Sequence, residues 1–119
     1  MPLGRVIVGH SDTDPDLDYH EALARRGAWV EFDTVRGRFP FPVERRVRYI
    51  LEARRRGFLD RILVSHDVCA LSHLLSFGGT GYEYLPARFG EVLRDAGLAD
   101  EELRRLFVEN PRWALIGEE

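Results

Sequence analysis

The chain has 119 residues, enough for one ordinary domain, and its 45% hydrophobic and 31% charged content are those of a folded globular protein rather than a disordered one. Seventeen Lys and Arg against twenty Asp and Glu leave a net charge of −3, which argues against a nucleic-acid or strongly membrane-directed surface. The single cysteine, Cys69, excludes an internal disulfide and a cysteine-rich zinc site. The start MPLGRV is not a secretory leader and no apolar run approaches a membrane span, so a cytoplasmic location is expected.

The first element is the run RVIVG, Arg5–Gly9, continuous and β-branched, as expected of a strand buried on both faces. Asp14-Pro15-Asp16 then offers a helix start with Asp14 as cap and proline in the first turn. The helix Asp16–Arg26 sets Leu17, Tyr19, His20, Leu23 and Ala24 along one side, and Gly27 ends it. Ala28–Asp33 (AWVEFD) reads as the second strand. A Gly/Pro-rich loop, Arg36–Pro42, leads to a helix over Val43–Arg56 closed by Gly57. Its arginine-dense stretch, from Arg45 to Arg56, reads as a wet helical face above apolar Val43, Val47, Ile50 and Leu51.

Arg61–Ser65 (RILVS) is the third strand, followed by a long loop, Val68–Gly81, that holds Gly78-Gly79-Thr80-Gly81. A helix near Tyr84–Ala96 tolerates Pro86 only in its first turn. Asp100 caps a shorter helix over Glu101–Val108, and Asn110-Pro111 restarts a terminal turn through Ile116. The order β-α-β-α-β-α-α-α predicts parallel strands joined by right-handed crossovers, in a single but incomplete α/β domain over residues 1–119. Both edges of such a small sheet stand open, and an open edge invites pairing.

Two of the strands end alike, in GHSD and SHD. In parallel α/β folds ligands gather at the carboxyl ends of the strands, so His10, Asp12, Asp33, His66 and Asp67 would share one rim. Imidazole and carboxylate are ordinary ligands of zinc, and a metal-bound hydroxide with a neighbouring carboxylate as base is a hydrolytic centre. From pattern alone His10 is either a loop hydrogen-bonder or a ligand. Asp14 and Asp16 read as helix caps, His20 and His73 as ordinary surface or loop histidines, and Cys69 as a packing residue with no base beside it. Gly78–Gly81 lacks the spacing of a phosphate cradle and reads as a flexible loop.

RVIVGHSDTD, VEFD, RILVSHDVC, GGTGYEYL and LFVENPRWAL, taken in order, resemble the C-terminal part of the phosphotriesterase family, amidohydrolase-superfamily barrels that include the phosphotriesterase-like lactonases. The resemblance implies a partial (β/α)8 TIM-type barrel, about its last three βα units plus C-terminal helices. It implies a metal-dependent hydrolase of ester, lactone or phosphotriester bonds in small organic molecules, with two divalent metals, commonly zinc, bridged by hydroxide. On that resemblance His10 matches a ligand of the more exposed metal. Asp67 matches a ligand of the more buried metal that also takes the hydroxide's proton, and Asp12 a carboxylate that relays the proton onward. Asp33, Thr34, Cys69 and Leu71 fall where relatives shape the substrate pocket.

The departures are as specific. Relatives are much longer, and their first-strand His-x-His pair, bridging lysine and strand-five histidine have no counterpart here. Thr34 follows Asp33 where organophosphate hydrolases carry histidine and many lactonases arginine. Two ligands cannot hold a binuclear centre. Three expectations follow: a hydrolase half that needs a missing N-terminal half, a non-catalytic half-barrel that self-associates through its edges, or one zinc held at a dimer interface by His10 and Asp67 of two copies. Strand faces at 5–9 and 28–33 left uncovered would cost about 25 cal/mol for each Å², so a homo-oligomer or a partner half is expected.

Overall fold

A computed structural model describes residues 3–35, 43–67, 76 and 85–117. Three parallel strands, β1 (Ile7–Val8), β2 (Trp29–Phe32) and β3 (Ile62–Val64), lie in that order, with Val8 beside Val30 and Val30 beside Ile62. Helix α1 (Leu17–Arg25) joins the first pair and α2 (Val43–Arg56) precedes β3. The expected mixed α/β order with a parallel sheet is present. Among the described residues, no strand pairs with the outer side of β1 or β3.

Local chemistry sets the helix limits. Asp16, not Asp14, caps α1: its carboxylate accepts from the amides of Asp18 and Tyr19 at 3.0 and 3.2 Å, while Asp14 accepts from the Asp16 amide. Pro15 therefore stays outside the helix. Gly27 and Gly57 end the two helices with positive φ, a conformation that costs glycine little.

The core lies between the sheet and the helices. Val30, Phe32, Ile62, Tyr49, Ile50 and Ala53 are essentially inaccessible, and burying a side chain such as Phe32 contributes about 1.5–3 kcal/mol. The first strand is less than RVIVG promised. It is two residues long, Ile7 is exposed, and Leu3–Arg5 is a 3-10 turn. An apolar run reports capacity to be buried, and an edge strand paired on one side leaves that capacity unused.

Two histidine and arginine expectations are corrected. His20 is buried, packed edge-on between the rings of Phe32 and Tyr49. Arg46 is inaccessible rather than part of the wet face of α2, because it sits on the same helical side as Ile50 and Ala53.

The C-terminal region begins with a π-helical turn, Leu85–Phe89, that runs into α3 (Gly90–Asp95). Next come α4 (Asp100–Arg104), a second π turn (Arg105–Glu109) and α5 (Asn110–Ile116), one continuous helical run where a break at Asn110-Pro111 was expected. Proline cannot bond back along a regular helix, and the chain meets this with a wider turn just before it. Ala99 rather than Asp100 precedes the run, its amide held by Glu102 at 2.9 Å. Asn110 is buried and donates to the carbonyls of Leu59 and Ile62, both at 2.9 Å, fastening the run to the entry of β3. Among the described residues no helix is long and apolar enough to cross a membrane.

Candidate functional site

The carboxyl ends of the strands carry the unusual backbone. Among the described residues, the non-glycine positions with positive φ are His10 (56°) and Asp67 (53°), just past the ends of β1 and β3. Holding a side-chain-bearing residue there costs on the order of 1 kcal/mol and persists only where neighbours enforce it. At His10 they do. Its amide donates to Asp33 Oδ2 at 2.9 Å, and its ring nitrogen Nδ1 meets Asp33 Oδ1 at 2.6 Å. Gly9 permits the approach, since a Cβ there would stand 3.1 Å from Asp33 Oδ2.

A carboxylate only accepts, so Nδ1 carries the proton and donates it to Asp33. The other ring nitrogen, Nε2, is left with its lone pair in the neutral ring. The His10 side chain is 63% exposed against 13% for Asp33. The hydrogen bond to Asp33, then its charge, raise the His10 pKa above the ordinary histidine value; the charges of Asp67 and Asp12 add to it.

Glu31, two residues before Asp33 on the same strand face, was not anticipated. Burial, then the charge of Asp33, raise its pKa, against the pull of a hydrogen bond from Ser65. The signal was available: in AWVEFD the acidic residues alternate, which puts both on one side of a strand.

Beneath the exposed pair lies a buried one. Asp12 Oδ2 accepts from the Thr34 amide at 3.2 Å, from the Thr34 hydroxyl, and from Arg46 Nε at 3.0 Å. Arg46 Nη2 in turn donates to the Thr34 hydroxyl oxygen. Asp12 and Arg46 are inaccessible and Thr34 is 5% exposed, so the Thr34 side chain is turned inward. His20 Nε2 donates to the carbonyl of Ser11 at 2.8 Å from the α1 side.

His10, Asp12, Asp33, Thr34, His66 and Asp67 thus lie at the same end of the parallel sheet. Cys69, Leu71, His73 and the Gly78–Gly81 run lie outside the described residues. The donor set does not by itself fit a complete zinc centre: among the described residues no three His, Cys, Asp or Glu side chains converge on a point where a metal could sit.

Residues 1–115 match the phosphotriesterase family. The phosphotriesterase homology protein of Escherichia coli (strain K12) is 38% identical over 111 residues, which are 93% of this chain and 38% of that protein. A crystal structure of the phosphotriesterase homology protein from Escherichia coli, complexed with phosphate in its active site, superposes with a TM-score of 0.88 over 93% of this chain and 38% of its own. A lactonase from Listeria monocytogenes superposes with a TM-score of 0.88 at 28% identity, covering 100% of this chain and 38% of the lactonase. The chain therefore spans little more than a third of the length of these relatives.

Proposed function

We propose, from the premise that this chain belongs to the phosphotriesterase family, that it supplies one part of the active-site rim of a zinc-dependent hydrolase of ester, lactone or phosphotriester bonds. His10, through Nε2, and Asp67 are two of the metal ligands, and Asp67 is also the proton acceptor. The remaining ligands lie outside the described residues, in further chain or in a second polypeptide. The observation that supports this best is the shared positive φ at His10 and Asp67. Strain of that kind gathers where a fold holds functional groups in a set direction. The His10–Asp33 contact fits as well, because an imidazole that gives Nδ1–H to a carboxylate has its Nε2 aimed and ready to coordinate.

The test is reconstitution. The 119-residue chain is mixed with a polypeptide carrying the part of the Escherichia coli relative that has no counterpart here, and loaded with zinc. Metal content, mass and hydrolysis of a lactone, an aryl ester and a dialkyl aryl phosphate are then read. The chain alone is expected to retain no stoichiometric zinc, and the mixture to bind metal and turn over at least one substrate. Asp67→Asn is expected to lower that rate about 100-fold or more. Equal rates for Asp67→Asn and the unmodified mixture would falsify the assignment.

A second reading, a non-catalytic half-barrel that self-associates, has its own support in the outer side of β1, which no strand covers among the described residues, and in the exposed Ile7. Light-scattering mass separates the two: a dimer or larger assembly that ignores the complementary polypeptide favours the second.

A further inference from the structure

The exposed histidine at the rim is held by a chain of contacts that begins two layers below it, on the helix side of the sheet. We propose that Arg46 is a positioning residue: it reaches from α2 through Asp12 and Thr34 to hold the turns after β1 and β2 in the arrangement that presents the His10 imidazole to the rim.

The connectivity carries this. Asp12 belongs to the turn Ser11–Thr13, whose last amide bonds back to the carbonyl of His10 at 3.0 Å. Thr34 directly follows Asp33, which holds the His10 amide and ring. The two turns are therefore stitched twice, by His10 with Asp33 at the surface and by Asp12 with Thr34 underneath. Among the described residues, the lower stitch is the one tied to a helix. Arg46 Nε donates to Asp12 and Nη2 to Thr34, so one planar guanidinium fixes the distance between both turns. His20 braces the same turn from α1 through the Ser11 carbonyl. Such over-determination is what a non-glycine residue held at positive φ requires.

The same facts give Asp12 Oδ2 an anchoring part. Its Oδ2 receives three donors and the carboxylate is inaccessible to solvent. A buried carboxylate oxygen clamped by a guanidinium serves as an anchor.

The catalytic sense of the proposal rests on His10 being a ligand, whereas its test reads only the two turns. Failure of the one is therefore distinct from failure of the other. Backbone hydrogen exchange, followed by mass spectrometry on the 119-residue chain, is compared for the unmodified protein, Arg46→Met and Arg46→Lys. In Arg46→Met, exchange of peptides covering residues 9–14 and 32–35 is expected to rise at least about tenfold more than that of peptides from α4 and α5. Arg46→Lys, with one compact ammonium in place of a fork, is expected to restore part of the protection. Unchanged exchange in both turns of a folded Arg46→Met overturns the proposal, and so does a uniform rise across the protein, which would mark a purely global role. If Arg46→Met does not fold, Thr34→Val decides: it removes the bridging hydroxyl without stranding a charge. A rise of roughly threefold confined to those two turns supports the proposal. No rise, or a uniform one, overturns it.

Discussion

Two base–carboxylate pairs sit a few residues apart at the same end of the sheet and do different work. His10 with Asp33 is open to solvent on the imidazole side, at 63% exposure, whereas Arg46 with Asp12 is at 1% and 0%. In water a pair of this kind holds little energy and stays available to a ligand. Sealed from water, it is costly to assemble and more costly to half-remove, because the survivor is a charge without a solvent. Depth, more than residue type, separates the pair open to solvent from the pair sealed beneath it.

The largest test of that contrast is Arg46→Met. Stranding the Asp12 carboxylate is expected to remove about 3–5 kcal/mol of stability, read from urea unfolding. A loss near that of a surface substitution would break the distinction between the layers. Thr34→Val should cost less, about 1 kcal/mol, because a hydrogen bond disappears while both charges keep each other. Asp33→Asn is the smallest in stability and the most informative for the upper layer: the unfolding midpoint should hardly move, and the His10 pKa, followed by NMR, should fall back toward the ordinary 6.5.

The sign of the accompanying pH effect follows. A histidine whose folded pKa is raised lends its stability fully below pH 6.5 and loses it as pH climbs through the raised value. Asp33→Asn should flatten that slope, and an unchanged slope would assign it to some other group.

Much of this architecture was legible. The limits of α1 and α2 were written in Gly27 and Gly57, and the rim in two strand-like runs that stop at His10 and at His66-Asp67. What escaped was partnership across the sequence. Arg46 lies three residues after Val43 and four before Ile50, so its place on the apolar side of α2 was readable, yet its charge argued for water. Asp12 and Thr34, from two different turns, resolve that conflict. His20 presents the same case beside Leu17 and Ala24. Strand length escaped for a related reason: RVIVG can fill a sheet interior, but how many residues pair depends on neighbours that a single run does not name.

The amide of Asn110 has a chemical consequence of its own. It points two N–H bonds at the carbonyl oxygens of Leu59 and Ile62, so conversion to aspartate would set an anion against both and push the last helix off the sheet. The usual ageing route to that conversion closes a ring through the backbone N–H of the following residue, and here that residue is Pro111, which has none. The proline that forces the wider helical turn also keeps this clasp from spoiling with time.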